Sequence, residues 1–100
     1  MQNPKHIAIT GASSGLGAAL ALAYGYNGTV LSLHGRNAQR LAQVADRVRA
    51  HGATVDIHCG DVTDAADQQA WLTARGSAVP LDLVIANAGI APLEIEPADP

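Results

Sequence analysis

The chain is poor in cysteine and in basic side chains, and both shortages narrow the function classes open to it. Cys59 is the only cysteine among the 100 residues, which excludes an internal disulfide and fits a reducing compartment. Six lysines and arginines stand against nine acidic residues, and the net charge is −3. Because the basic residues are scattered and form no stripe, neither nucleic acid nor an anionic membrane is expected as a partner.

Long apolar runs are missing as well. The first six residues contain no apolar stretch and no small-residue cleavage site, and no run elsewhere is long enough to cross a bilayer. We therefore expect a cytoplasmic protein. One hundred residues with 48% hydrophobic content make one domain at most. A chain this short buries only about 65% of its unfolded surface, so marginal stability is expected.

Paired ligands at metal-binding spacing are also lacking. The histidines do not show the short paired spacing of zinc ligands; they are His6, His34, His51 and His58. Three acidic residues at helical spacing, Asp61, Asp64 and Asp67, fit the start of a helix, where negative charge is favourable. Neither set predicts a metal site.

The chain does contain a regular alternation of strand-like and helix-like segments. Strands are predicted at 6–10, 29–34, 53–59 and 81–86, and helices at 16–23, 38–51 and 64–75. Asn37 and Thr63 are the expected N-caps, and Gly52 is expected to end the second helix. Trp71 is expected to pack helix on sheet, and Cys59 to fill a small apolar space. The alternation predicts an α/β fold with a parallel sheet and helices on both faces.

The most informative segment is a glycine-rich turn between the first strand and the first helix, Thr10-Gly11-Ala12-Ser13-Ser14-Gly15-Leu16-Gly17. Gly11 allows a tight exit from the strand, Gly15 lets the backbone approach a phosphate, and Gly17 permits close packing of the helix. The first helical amides lack intrahelical acceptors and lie at the positive end of the helix dipole. An anionic diphosphate can satisfy them, with Ser13 or Ser14 as hydroxyl donors. The turn therefore predicts a dinucleotide-binding site.

The glycine spacing identifies the kind of turn. Gly-x-x-x-Gly-x-Gly differs from both the Gly-x-Gly-x-x-Gly fingerprint and the P-loop, and the only lysine, Lys5, precedes the turn. TGASSGLG resembles the TGxxxGxG signature of the short-chain dehydrogenase/reductase family, in its shorter single-domain branch. The resemblance implies a Rossmann-type doubly wound parallel sheet of order 3-2-1-4, incomplete here, with Leu16 among the cofactor contacts. A glycine turn without a ligand is the alternative.

The residues after the second strand bear on the choice between NADP and NAD. By the same resemblance, Gly35 stands at the position where NAD-preferring family members have an aspartate. Arg36 stands at the position where NADP-preferring members have an arginine. An arginine can pair with the 2′-phosphate of NADP, whereas an acidic residue would bind the 2′-hydroxyl of NAD. The resemblance implies NADP rather than NAD, with a solvated Arg36 as the alternative. Asn37 is expected to contact the ribose as well as to cap the helix.

Two further segments extend the resemblance. After the third strand, Asp61 is implied to accept a hydrogen bond from the adenine amino group and Val62 to contact the ring; alone, this segment is an ordinary helix start. After the fourth strand, the chain resembles the family's Asn-Asn-Ala-Gly, with Ala86 in place of the first asparagine. There the resemblance implies a structural clamp and room for the nicotinamide ribose, provided by Asn87, Ala88 and Gly89.

The catalytic residues of the family have no counterpart in this sequence. Members transfer hydride at the nicotinamide and move the proton with a tyrosine acid/base, assisted by a lysine four residues later, a serine and an upstream asparagine. Here Tyr24 and Tyr26 are followed at that spacing by Gly28 and Val30. We expect residues 1–100 to be the NADP-binding N-terminal part of a longer, homo-oligomeric oxidoreductase, truncated after the fourth strand and inactive alone. Its substrate would be a small carbonyl or alcohol. A non-catalytic NADP(H) sensor or truncated pseudoenzyme is the alternative.

Overall fold

Four parallel strands alternate with three helices in the computed structural model, which describes residues 5–61 and 63–86. The elements are β1 (His6–Thr10), α1 (Gly15–Tyr24), β2 (Val30–Gly35), α2 (Ala38–Arg49), β3 (Thr54–Cys59), α3 (Ala65–Ala78) and β4 (Leu83–Ala86). The strand order is β3-β2-β1-β4, which confirms the predicted order. Four predicted cofactor contacts lie outside the described residues: Val62, Asn87, Ala88 and Gly89.

One face of the sheet carries the apolar core. Alternate positions of β1 and β2 present fully buried branched side chains to this face, namely Ile7, Ile9, Leu31 and Leu33. They pack with Ala21 of α1 and with the apolar stripe of α2, Leu41, Val44 and Val48. Each buried aliphatic side chain of this size contributes about 1.5–3 kcal/mol, so this face supplies most of the apolar stabilisation.

The opposite face is polar although it is equally buried. His6, Ser32 and His34 alternate with the core residues and are at most 2% exposed. The Nδ1 of His6 lies 2.8 Å from the Val79 carbonyl oxygen, and its Nε2 lies 2.8 Å from the Ser32 hydroxyl. Because the carbonyl can only accept, Nδ1 carries the proton and Nε2 accepts from Ser32. The ring of Trp71 in α3 lies 5.2 Å from that of His34, which confirms its predicted helix-to-sheet packing.

The start of α3 differs from the prediction. Asp64, not Thr63, is the N-cap, since its Oδ1 accepts a hydrogen bond from the Asp67 amide at 3.0 Å. The Thr63 hydroxyl instead donates to Asp61 Oδ1 at 2.8 Å. Both residue types cap helices well, and the turn formed by Asp61 decides which of the two does so here. The helix also continues to Ala78, beyond the predicted end.

The ends of α2 and β4 also differ from the prediction. Helix α2 ends at Arg49 with Ala50 as its C-cap, and Gly52 follows at φ 96°, in the left-handed region that favours glycine. Strand β4 begins at Leu83, two residues later than predicted. None of the three helices in the described ranges is both long enough and apolar enough to cross a bilayer.

Asp82 joins the start of β4 to the start of β1. Its Oδ2 accepts hydrogen bonds from the backbone amides of Lys5 at 2.8 Å and His6 at 3.0 Å. The Asp82 amide in turn donates to the His6 carbonyl at 2.9 Å. The two amide donors hold the pKa of the Asp82 carboxyl below its usual range, because they stabilise the ionised form.

We predict that Asp82→Asn, in the complete native chain that carries this sequence, lowers the urea midpoint of unfolding near neutral pH. Since the folded-state pKa of Asp82 lies below the ordinary 3.8, its contribution is present above that value and is lost as pH falls through the folded-state pKa. The difference in urea midpoint between the variant and the parent should therefore become smaller in acid. The matched control is Asp46→Asn, which removes a surface ion pair with Arg49 and should change little. A gap independent of pH would contradict this account.

Candidate functional site

The loops that follow the first three strands meet at the carboxyl edge of the sheet. The Ala12 amide donates to the His34 carbonyl at 2.9 Å, which links the glycine turn to the end of β2. The Gly60 amide donates to the Gly35 carbonyl at 3.0 Å, which links the end of β3 to the end of β2. Three of the segments predicted to bind a cofactor are thereby brought together.

Ser14 shapes the glycine turn. Gly11 has φ 67°, a left-handed conformation that lets the chain leave β1 sharply. The Ser14 hydroxyl donates to the Gly11 carbonyl at 2.8 Å and accepts from the Gly17 amide at 3.1 Å, so Ser14 is the N-cap of α1. A hydrogen bond from this hydroxyl to a ligand would have to replace its bond to Gly11. The predicted role as hydroxyl donor therefore falls more simply to Ser13.

The N-terminus of α1 offers two amides to a ligand. The Gly17 amide is bonded to Ser14 Oγ and the Ala18 amide to the Ser14 carbonyl. The amides of Gly15 and Leu16 find no acceptor within the described part of the chain. They lie at the positive end of the helix dipole, and the Leu16 side chain beside them is 64% exposed. This arrangement can bind an anionic oxygen.

The two helical glycines of the turn have different roles. A Cβ on Gly17 would overlap the Gly11 carbonyl oxygen and lie 2.8 Å from the Ala12 Cα, so no side chain fits there. Its close contact is with the turn rather than with the body of the strand. A Cβ on Gly15 would meet nothing within 4 Å. Packing inside the protein therefore requires glycine at position 17 and leaves position 15 open toward solvent.

Gly35, the last residue of β2, lies close against the glycine turn. A Cβ on Gly35 would lie 2.8 Å from Ser13 Oγ, so Gly35 fits beside the turn as it stands. Arg36 is exposed at the same edge. Asn37 caps α2 as predicted, with its Oδ1 accepting from the Arg40 amide at 3.0 Å.

The segment after β3 presents a carboxylate. Asp61 Oδ1 accepts from the Thr63 amide at 2.9 Å and from the Thr63 hydroxyl at 2.8 Å. These bonds lower the pKa of Asp61, with a smaller contribution from the Arg36 charge, so the group is ionised at neutral pH. Cys59 was predicted to be a buried filler, and this is wrong. It is exposed, and its thiol lies 3.3 Å from the Arg36 carbonyl oxygen.

Beneath this edge lies a polar cluster that spacing along the sequence did not predict. Parallel register sets His34 of β2 beside His58 of β3. The Nε2 of His58 lies 2.9 Å from Asp67 Oδ2, and the Nε2 of His34 lies 3.6 Å from the same oxygen. Burial lowers the pKa of His34, with the Asp67 carboxylate opposing it, while the contact with His58 lowers the pKa of Asp67. Aligning the two strands in register is the signal that could have revealed the pair.

A groove of about 560 Å³ opens beside the glycine turn. One wall is the start of α1 with Ser13, Ser14 and Gly15, and the other is the exposed side of α2, including Arg40 and Arg47. Its size lies within the range of small-molecule sites. Gly15, at the N-terminus of α1, lines the groove.

The fold is an α/β domain with a Rossmann-type parallel sheet, and comparison with known proteins places it in a family. A family model described as short chain dehydrogenase matches residues 5–99. The chain therefore belongs to the short-chain dehydrogenase family. It is 41% identical over 91 residues to 11-beta-hydroxysteroid dehydrogenase-like 4A of Arabidopsis thaliana, covering 89% of this chain and 30% of that protein.

Solved structures of a reductase and a dehydrogenase are similar to this chain. L-Sorbose reductase from Gluconobacter frateurii, complexed with NADPH and L-sorbose, matches with a TM-score of 0.76 and 30% identity, covering 86% of this chain and 34% of the reductase chain. An NAD⁺-bound xylitol dehydrogenase matches with a TM-score of 0.73 and 25% identity, covering 80% of this chain and 31% of its own. Its structural neighbours thus include both NADPH and NAD⁺ complexes, and the chain spans about a third of the length of these proteins.

We predict opposite effects for alanine at the two helical glycines, tested in the complete native chain. Gly15→Ala should keep or raise the thermal midpoint, because alanine favours helix by about 0.5–1 kcal/mol and its methyl group meets no protein atom. It should weaken nicotinamide cofactor binding roughly tenfold or more, which is about 1.4 kcal/mol, since the methyl group stands where a phosphate would approach.

Gly17→Ala serves as the structural counterpart. Its methyl group would overlap the Gly11 carbonyl, so the free energy of unfolding should fall by about 1–3 kcal/mol. Thermal unfolding and calorimetric titration with cofactor measure both quantities. Unchanged cofactor affinity in Gly15→Ala would show that position 15 does not face the ligand.

Proposed function

We propose that residues 1–100 are the NADP-binding N-terminal part of an oxidoreductase that interconverts a small carbonyl compound and its alcohol. The observation that carries the proposal is the pair of backbone amides of Gly15 and Leu16, which have no acceptor among the described residues. Position 15 is a glycine, so no side chain blocks the approach of a ligand to these amides. These features fit a diphosphate, because a helix N-terminus with an open glycine lets the phosphate oxygens reach the backbone. Membership of the dehydrogenase family supports the redox class of the reaction.

The residues of this chain would hold the cofactor without a lysine. Gly15 and Leu16 would donate their amides to the diphosphate, Gly11 and Gly17 would maintain the turn, and Ser13 would add a hydroxyl donor. Ser14 contributes through the shape of the turn, as its hydroxyl is bonded on both sides. When bound, the nicotinamide supplies hydride chemistry, and this chain positions it.

The preference for NADP over NAD rests on the end of β2. Gly35 has no carboxylate for a ribose 2′-hydroxyl, and a side chain there would press on Ser13. The exposed guanidinium of Arg36 is free to approach a 2′-phosphate, where a charge-assisted pair can form. Because the structural neighbours include both NADPH and NAD⁺ complexes, the argument for NADP depends on these residues.

The remaining contacts belong to the adenine and the nicotinamide ribose. Asp61 has its Oδ1 bonded to Thr63, so we assign the adenine amino group to its other oxygen. Asn37 combines its role as N-cap with a proposed ribose contact. Four more contacts are proposed on the resemblance alone: Val62, Asn87, Ala88 and Gly89.

Proton transfer in the proposed reaction falls to residues outside this sequence. Tyr24 and Tyr26 stand at the C-terminal end of α1, about 14 Å of helix away from the glycine turn. No lysine follows either tyrosine at the spacing the family uses. A second candidate is a non-catalytic NADP(H) sensor, because the features argued above concern cofactor binding and none of them is a catalytic group. NADPH oxidation by the complete native protein in the presence of a panel of aldehydes and ketones distinguishes the two, since a sensor would bind NADPH without oxidising it.

We predict that Arg36→Ala, in the complete native protein, weakens NADPH binding roughly 10- to 100-fold and leaves NADH binding within about twofold. The expected loss corresponds to one hydrogen-bonded charge contact, about 1.5–3 kcal/mol. The matched control is Lys5→Ala, which removes the same charge at the opposite edge of the sheet and should alter neither affinity. Calorimetric titration with both cofactors provides the measurement. An unchanged NADPH to NADH ratio would remove Arg36 from the argument, and tighter NADH binding by the parent would overturn the NADP assignment.

A further inference from the structure

We propose that His34, His58 and Asp67 form a binding site for a divalent transition-metal ion, for which zinc is the best chemical match. This set is called the His-His-Asp cluster below. It lies between β2, β3 and the first turn of α3, on the polar face of the sheet. The proposed cofactor contacts do not use any of its three side chains.

The fold brings three possible ligand atoms close to one another. The parallel register aligns His34 with His58, and their ring centroids are 5.4 Å apart. Asp67 Oδ2 lies 3.6 Å from His34 Nε2 and 2.9 Å from His58 Nε2, and one ligand atom from each residue lies within 4.8 Å of the others. Ligand atoms around a tetrahedral zinc ion are about 3.3–3.6 Å apart, so small side-chain adjustments would complete the geometry.

The state of His34 is an independent observation that points to a ligand. Its side chain is fully buried, and neither ring nitrogen has a partner at hydrogen-bond distance within the described residues, since Asp67 Oδ2 lies 3.6 Å from Nε2. His6 is buried on the same face of the sheet, and both of its nitrogens are paired, with Val79 and Ser32. A buried polar atom without a hydrogen-bond partner is unfavourable, and a metal bond at His34 Nε2 would give that nitrogen a partner.

Gly60 leaves space at the point where the three ligand atoms converge. A Cβ on Gly60 would lie 2.5 Å from Asp67 Oδ2, 3.0 Å from His34 Nε2 and 3.5 Å from His58 Nε2. A larger residue at position 60 would therefore occupy the centre of the cluster. Glycine keeps this position open, and its amide is meanwhile held by the Gly35 carbonyl.

The donor set selects the class of ion. Two imidazoles and one carboxylate suit Zn²⁺ and its transition-metal neighbours, whereas Mg²⁺ and Ca²⁺ prefer oxygen ligands. The ring of Trp71 lies nearly parallel to that of His58, at 18° and 6.1 Å, and forms an apolar wall of the cluster. Bound metal would join α3 to two strands just before Asp61, and would stabilise the protein by mass action.

The experiment uses the complete native protein, stripped with a chelator and titrated with Zn²⁺ and with Co²⁺. We expect the parent to bind at least one equivalent, with the intense visible absorption of tetrahedral Co²⁺. His58→Gln and Asp67→Asn should each remove one equivalent, weakening it at least about 100-fold, because loss of even an outer-shell partner costs about 10- to 100-fold. His58 is at the rim of the cluster, with 36% of its side chain exposed, so its replacement disturbs folding least.

The matched control is His51→Gln, which removes an exposed histidine outside the cluster and should leave metal binding unchanged. X-ray absorption of the zinc-loaded parent gives a readout that needs no variant, and two imidazole ligands are expected. The proposal is overturned if the parent binds no metal, if His58→Gln and Asp67→Asn bind as His51→Gln does, or if absorption shows fewer than two imidazoles. In the last two cases, His58 and Asp67 would be only a hydrogen-bonded pair.

Discussion

The Ser14 hydroxyl bridges the Gly11 carbonyl and the Gly17 amide, and the carboxyl edge of the sheet depends on this bridge. Gly11 has a left-handed conformation at the end of β1, and the backbone at Gly17 lies close to the Gly11 carbonyl. Together they turn the chain directly from β1 into α1. The helix then begins with two amides, those of Gly15 and Leu16, that face outward. Binding of an anion at this point follows from backbone geometry, so no basic side chain is needed.

Different interactions hold the helices on the two faces of the sheet. The face toward α1 and α2 is an apolar core of interleaved aliphatic side chains. The face toward α3 is held mainly by polar contacts, among them the 2.9 Å ion pair of Arg75 with Asp56 and the contact of His58 with Asp67. Trp71 is the buried apolar anchor of α3 in the described residues. Polar contacts therefore have a larger part in the packing of α3 than in that of α1 and α2.

Local signals in the sequence predicted most of the fold and part of the candidate site. The period of apolar residues and the βα alternation predicted a parallel α/β sheet, and the family resemblance implied its strand order, which is confirmed. The cap at Asn37 is confirmed because capping depends only on neighbouring residues. The sharp exit from β1 at Gly11 and the need for a small residue at position 17 could be predicted for the same reason, although the close contact of Gly17 is with the turn and not with the strand. Both features follow from a turn of a few residues that the chain builds locally.

Features that depend on contacts between distant segments could not be predicted in this way. The pairing of His34 with His58 arises from strand register across 24 positions, which spacing along the chain does not reveal. The exposure of Cys59 depends on its position at the end of an edge strand, where no further strand among the described residues covers it. The choice of Asp64 over Thr63 as N-cap was missed for another reason: two good caps stand side by side, and the turn formed by Asp61 decides between them.

The most direct test of the central claim is a crystal structure of the complete native protein grown with NADPH. The measured quantity is the distance from the diphosphate oxygens to the amide nitrogens of Gly15 and Leu16. This account predicts hydrogen bonds of about 2.7–3.2 Å from at least one of the two amides, with α1 beginning as it does now. A diphosphate bound away from this helix N-terminus, with both amides facing water, would contradict it.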